Sequence, residues 1–178
     1  MSKEELIGLL KTNAVKEFNS SRPKDREELL DLTESDLSSV DLTGVDLSYA
    51  DLSGSDFCEA NLHNVNFANS DLSSVNFARA NIAGVSFTGA DLNGAKFSGA
   101  IITRSDFSDS DASGADFCEA DLSNTDLSAI ENLFMCHFDT YTVWPDIDML
   151  PEDFSPQYED DLASLKDDEE QMEEGFSY

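Results

Sequence analysis

Residues 31 to 130 repeat with a strict five-residue period, and that period limits the fold more than anything else in the chain. Taking the central apolar residue of each unit, the centres run Leu32, Leu37, Leu42, Leu47, Leu52, Phe57, Leu62, Phe67, Leu72, Phe77, Ile82, Phe87, Leu92, Phe97, Ile102, Phe107, Ala112, Phe117, Leu122 and Leu127. Two residues before each centre sits a small or β-branched residue, such as Val40, Val45, Ala60, Val65, Ala90, Ser105 or Thr125. A period of five fits neither a 3.6-residue helix nor an alternating strand. It implies stacked units rather than a globule.

Sorting the centres by every twentieth residue gives four columns. One reads Leu37, Phe57, Phe77, Phe97, Phe117, and a second reads Leu47, Phe67, Phe87, Phe107, Leu127. The other two read Leu32, Leu52, Leu72, Leu92, Ala112 and Leu42, Leu62, Ile82, Ile102, Leu122. Every phenylalanine centre therefore falls in two of the four columns, which a four-sided coil would place on opposite walls with aliphatic walls between them. A buried Leu or Phe contributes roughly 1.5–3 kcal/mol, while ordering five backbone residues costs about 1–2 kcal/mol each. No unit folds alone, so stacking must supply the difference. Ala112 is the weakest centre, a methyl group beside the Leu92 level.

The units, for example Ala50-Asp51-Leu52-Ser53-Gly54 and Ala60-Asn61-Leu62-His63-Asn64, resemble the Ala-(Asp/Asn)-Leu-x-x pattern of the pentapeptide-repeat family. The resemblance implies an all-β solenoid: a right-handed quadrilateral parallel β-helix, here of about five coils, with four units to a turn. It also implies that the centre and the residue two before it point inward. Val15, Phe18, Asn19 and Arg22 look like the short helical cap that often precedes the repeats in bacterial members.

The formal charge of −28 is unevenly spread. Residues 1–30 carry six acids and six bases, residues 31–130 seventeen acids and three bases, and residues 131–178 fifteen acids and one base. Such a surface repels nucleic acid and anionic membrane and attracts a basic protein partner. There is no long apolar span, and Met1 to Leu10 lacks a signal peptide's apolar core, so a cytoplasmic location is expected. Cys58 and Cys118 share one slot of identical Asp-Phe-Cys-Glu-Ala units three turns apart. Roughly 14 Å of stacking would separate them, too far for a disulfide. With Cys136 they read as unpaired thiols.

Residues 1–30 are read as a helical cap and lead-in, with one helix from about 3 to 18 opened by the capping box Ser2-Lys3-Glu4-Glu5. The cap would cover the open end of the β-helix; a partner-binding helix is the alternative. The repeat domain is 31–130, and the period breaks at Glu131-Asn132. Leu133, Phe134, Met135, Phe138 and Trp144, within 131–145, form an apolar plug over the last coil or a homodimer contact. Residues 146–178 are expected to be an acidic, disordered tail.

The constellations of catalysis are missing. His63 and His137 stand without triad partners, and no phosphate loop, Cys-x-x-Cys or zinc spacing is present, so no catalytic residue, metal or cofactor is assigned. The residue before each centre is Asp in thirteen units, Asn at 61, 66, 76 and 81, and otherwise Ser86, Lys96 and Ile101. Asp and Asn share a short acceptor, which suits a bond to nearby turn backbone. That leaves unexplained the all-charged column Asp31, Asp51, Asp71, Asp91 and Asp111, read as a docking face for a basic partner. A polar strip of His63, Asn64, Asn66, Asn69, Asn76, Arg79 and Asn81, with Ile101 beyond it, is a second candidate surface. The first functional reading is a non-catalytic scaffold for protein–protein interaction. The second, implied by the resemblance, is a DNA mimic that binds DNA gyrase, although no loop here interrupts the period as in many topoisomerase-protecting members.

Overall fold

A computed structural model describes residues 1–22, 30–154 and 156. Within it each five-residue unit is one straight side and one corner. At the corner after Leu42, Gly44 has φ +75° and the Val45 N–H donates to the Leu42 carbonyl at 3.0 Å. That is the geometry of a turn needing a left-handed third residue. The second residue after the centre has a φ between 51° and 75° in every unit from Glu34 to Glu119. Glycine supplies it at Gly44, Gly54, Gly84, Gly89, Gly94, Gly99 and Gly114, and Asn at Asn64 and Asn69.

The corners bring residue i beside residue i+20. The Leu32 N–H donates to the Asp51 carbonyl at 2.8 Å, the Asp71 N–H to Ala50 at 2.9 Å, and the Gly54 N–H to Ser73 at 2.9 Å. Each regular unit is thus tied to the turns before and after it by parallel bonds. Continuous pairing lengthens into short strands at β1 (Leu30–Asp31), β2 (Ala50–Asp51), β3 (Asn81–Ala83), β4 (Ile101–Thr103) and β5 (Asp121–Asn124). β1 pairs with β2, and β3, β4 and β5 form a three-stranded parallel sheet. Elsewhere the ladder is a series of single bridges, such as Asp56↔Asn76 and Asp71↔Asp91. The result is a parallel β-helix.

The interior follows the four columns. Phe57, Phe77, Phe97 and Phe117 stack at centroid separations of 5.3, 5.1 and 5.2 Å. Phe67, Phe87 and Phe107 stack at 5.5 and 4.7 Å on the opposite wall. The two stacks meet edge to face, as at Phe57–Phe67, 5.6 Å and 89°. All seven rings are fully buried. The inward hydroxyls are bonded to backbone: Ser70 Oγ donates to Phe67 O at 2.6 Å, Ser110 Oγ to Phe107 O at 2.7 Å, and Thr125 Oγ1 to Ile102 O at 3.0 Å. No buried hydroxyl in that set is left paying an unmet desolvation cost.

The N-terminal segment departs from the single helix expected over 3–18. It forms α1 (Lys3–Lys11) and α2 (Val15–Ser21). The capping box at Ser2 and Glu5 is present. Asn13 takes φ +54°, with the Ala14 N–H donating to Leu9 O at 2.9 Å and the Asn13 N–H to Leu10 O at 3.1 Å. This is a Schellman ending, and an Asn in the left-handed position stops the helix there. Leu6, Leu10 and Phe18 are buried in the core cluster. Lys3 reaches Asp31 at 3.3 Å, Lys11 reaches Asp36 at 3.4 Å, and Arg22 pairs with Asp46. Asn19 accepts from the Asp46 N–H at 2.9 Å and donates to Gly44 O at 3.1 Å. Later turns satisfy such an N–H with the turn before; the first turn uses this side chain.

The segment after Leu127 also departs from expectation, because the pairing continues. The Glu131 N–H donates to Ser110 O and the Asn132 carbonyl accepts from the Ala112 N–H, both at 2.9 Å. Two residues therefore face Asp111, a β-bulge. The bridges Asp116↔His137 and Asp121↔Val143 follow, and the Leu127 N–H donates to Met149 O at 2.8 Å. The register thus slips from 20 to 21, then 22 and finally 23 residues, and Leu133, Phe138, Trp144 and Leu150 take the four central positions of one more, irregular turn. Residues 146–154, expected to belong to a disordered tail, hold a 3₁₀ helix (Ile147–Met149) and the buried Leu150. The rest of that expected tail, Ser155 and residues 157–178, lies outside the described residues, as does the lead-in Pro23–Leu29.

Candidate functional site

The outward slot before each centre has a local job. In all thirteen Asp units the Oδ1 atom accepts from the backbone N–H two residues on, as in Thr33 to Asp31 at 3.0 Å and Ser73 to Asp71 at 2.9 Å. Where Ser or Thr follows, its hydroxyl often donates to the same oxygen, at 2.7 Å for Ser53 to Asp51. Asn does the same work: the Ala68 N–H donates to Asn66 Oδ1 and the Ala78 N–H to Asn76 Oδ1, both at 3.1 Å. The amides of Asn66 and Asn76 also donate to the Asp one turn earlier, to Asp46 and Asp56, both at 3.0 Å, and Asn61 donates to Asp41 at 3.1 Å. The hydroxyl of Thr43 first, and then its N–H, holds the Asp41 carboxyl below the usual carboxylate range. Ser108 acts likewise on Asp106, and Ser128 on Asp126.

The register assembles the acidic column. Asp31, Asp51, Asp71, Asp91 and Asp111 bridge in succession, and Asn132 ends the row. The opposite side carries Asp41, Asn61, Asn81, Ile101, Asp121 and Val143. Counting the slot before each centre and the two after it over residues 31–130, the first face holds Asp31, Glu34, Asp51, Asp71, Asp91 and Asp111 and no base, a formal −6. The opposite face holds Asp41, Asp121 and Arg104, a formal −1. This polarity is legible in the same every-twentieth ordering applied to the outward slots.

The polar strip expected from Ala60 to Ala90 is not a strip. Thirty residues wind one and a half times around a twenty-residue coil. Asn66 and Asn69 therefore lie on one side, Asn76 and Arg79 on another, and only His63, Asn64 and Asn81 share the face of Ile101. Arg79 faces Glu59 at 3.4 Å.

The residues expected at the C-terminal end separate into two groups. Leu133 is buried, and Phe138 and Trp144 are half-buried, with rings 5.5 Å apart and Phe154 set against both. Phe134 and Met135 are each 70% exposed, beside an open groove lined by Ile130, Leu133 and Pro151. Cys58, Cys118 and Cys136 are free, and burial pushes the Cys118 and Cys136 thiols up to about 11. Among the described residues no cluster of His, Cys, Asp or Glu is arranged to hold a metal, and no helix is long and apolar enough to cross a membrane.

Stacked five-residue units, inward Leu and Phe, and an outward Asp or Asn before the centre in seventeen of the twenty units define a solenoid. The family model for pentapeptide repeats matches in eight copies, over residues 31–64, 60–99, 70–109 and 100–129. The chain belongs to the pentapeptide-repeat family. No curated protein sequence matches it. Among solved structures it is similar to a pentapeptide repeat protein (Rfr23) from the cyanobacterium Cyanothece 51142, at 25% identity and TM-score 0.34 over 56% of this chain and 64% of that one. It is also similar to HetL from Nostoc sp. strain PCC 7120, a pentapeptide repeat protein involved in heterocyst differentiation regulation. There the identity is 22% and the TM-score 0.37, over 65% and 70% of the two chains. A third is QnrB1, a plasmid-mediated fluoroquinolone resistance protein, at 24% and 0.34 over 64% and 63%. The chain thus spans just under two thirds of the Rfr23 and QnrB1 structures.

Proposed function

We propose that this protein is a non-catalytic scaffold of the cytoplasm: a right-handed, four-sided rod of five regular turns and one irregular turn. In this reading α1 and α2 close its first turn, and it docks a basic protein along Asp31, Asp51, Asp71, Asp91 and Asp111. One observation carries the reading. The turn bond made by each Asp needs an acceptor and no charge, as Asn66 and Asn76 demonstrate. Stacked carboxylates about 4.8 Å apart repel by roughly 0.9 kcal/mol per neighbouring pair in water. A column that keeps all five charges is kept for something outside the fold.

Capture of partners from lysate on the wild-type chain and on the triple variant Asp51→Asn, Asp71→Asn, Asp91→Asn tests this. The variant should lose a basic partner that salt also elutes; equal retention removes the acidic face as the docking surface. The DNA-mimic reading, with DNA gyrase as partner, draws on the same charge. Against it stands the face of Asn61, Asn81 and Ile101, which carries almost none. Purified protein at micromolar concentration should leave gyrase supercoiling unchanged, and clear inhibition or quinolone protection would reverse the order of the two readings.

A further inference from the structure

We propose that Asn93-Gly94 is a latent modification site: a self-deamidating pair that the folded rod holds shut, and that converts to aspartate and isoaspartate once the turn around it opens. It is the one Asn-Gly in the chain. Glycine leaves its own backbone nitrogen unhindered, since no Cβ stands beside it. That nitrogen attacks the side-chain Cγ of Asn93 and closes a five-membered succinimide ring, while the Cγ–Nδ2 bond breaks and ammonia leaves. Water then opens the ring at either carbonyl. One product carries Asp at 93 on an ordinary backbone; the other is isoaspartate, with the chain routed through the side-chain carbon. Water is the only co-reactant.

Asn93 is exposed, so burial does not protect it. The ladder does. The Gly94 N–H, whose nitrogen is the nucleophile, donates to the Ser113 carbonyl at 3.0 Å, one turn on. The Asn93 carbonyl accepts from the Ser74 N–H at 2.9 Å, one turn back, so the 93–94 peptide is held from both sides. The amide that must leave is anchored too: Asn93 Nδ2 donates to Ser113 Oγ at 2.8 Å, and the Asn93 N–H donates to Asp91 Oδ1 at 2.9 Å. Ring closure has to break both bonds to Ser113, and it therefore waits on local opening of the turn. Conversion then leaves a mark on the acidic face. Asp at 93 adds a charge beside Asp91 and Asp111, and isoaspartate inserts a backbone carbon between the bonds to Ser74 and Ser113, which then lose their common register. The inference concerns the chain's own chemistry and does not depend on the docking role.

The full chain, held in mildly alkaline buffer both folded and unfolded in urea, tests this through mass analysis of the tryptic peptide 80–96. Conversion at position 93 should run at least about tenfold faster in the unfolded chain, the ratio reporting how rarely that turn opens. Ser113→Ala keeps the backbone bonds and removes the Oγ anchor. It should speed conversion severalfold in the folded chain and leave the unfolded rate unchanged, with an unaltered urea midpoint showing that the rod is intact. A wild type that converts as fast folded as unfolded overturns the proposal. So does a folded Ser113→Ala chain, its urea midpoint unaltered, that converts no faster than the wild type.

Discussion

Replacing Asp71 by Asn should stabilise the rod. Asp71 lies between Asp51 and Asp91 in the column, bridged to both. Its Oδ1 accepts from the Ser73 N–H at 2.9 Å and the Ser73 hydroxyl at 2.7 Å, bonds that an amide oxygen accepts equally well. What the substitution removes is charge. Two neighbours at about 4.8 Å each repel by roughly 0.9 kcal/mol in water, and a Debye length of about 8 Å at physiological salt cuts each to roughly 0.5 kcal/mol. What it adds is an N–H₂ group placed to donate to Asp51, as Asn66 donates to Asp46 at 3.0 Å. A hydrogen bond to a charged group contributes about 1.5–3 kcal/mol when well formed, and less at a wet surface. The expected gain is about 1–2 kcal/mol, read as a higher urea midpoint at unchanged slope. In about 1 M salt, where the Debye length is about 3 Å, most of the repulsive part should vanish. A neutral or destabilising Asp71→Asn would refute the claim that the column opposes folding, and with it the argument that the charge serves a partner.

Three further perturbations probe other layers. Phe77→Ala should cost about 4–5 kcal/mol, the upper end for a buried ring, because Phe77 stacks on Phe57 and Phe97 at 5.3 and 5.1 Å and meets Phe67 and Phe87 edge to face. Phe57→Ala, with two such ring contacts, should cost about 1 kcal/mol less in the same urea titration. Asn19→Ala removes the acceptor for the Asp46 N–H and the donor to Gly44 O, so amide exchange at Asp46 should accelerate while exchange at Asp91, in a middle turn, stays unchanged. Acid should weaken the rod in a defined window. The lowered carboxyls of Asp41, Asp106 and Asp126 bind protons less readily folded than unfolded. Their stabilisation is complete above the ordinary value of 3.8 and is lost as pH falls through the lowered folded values. Thermal melts should therefore fall below about pH 4, and Thr43→Ala should flatten that fall.

How far the fold is legible depends on which slot of the unit is read. The inward slots write it openly, since a strict period and a sort by twenty predict the Phe57–Phe117 stack before any coordinate. The corner slot carries an equally plain signal in its seven glycines and its asparagines, visible once the slot is read for φ rather than polarity. Thr12-Asn13 is a similar case: apolar spacing runs through it toward Phe18, and the backbone preference of one Asn divides the helix. The last turn is different in kind. Leu133, Phe138, Trp144 and Leu150 are spaced by five, six and six residues. No fixed period finds them; only the bonds from Ala112, Phe117, Leu122 and Leu127 reveal that bulges absorb the extra residues.

Function is harder to read for a reason built into the same anatomy. The centre, the residue two before it and the corner are each fixed by packing or φ, and the outward slot is half fixed, because its acceptor closes the turn. What remains free is the second oxygen's charge and whatever stands on the straight sides. Only deviations within that narrow freedom can record selection for a surface. An Asp where Asn would bond better, repeated five times in one column, is such a deviation. So is an Ile at position 101 in a slot that elsewhere holds a hydrogen-bonding or charged side chain in every unit from 31 to 126. The two deviations stand back to back across the rod: one keeps charge on its face where the turn does not ask for it, and the other withholds it.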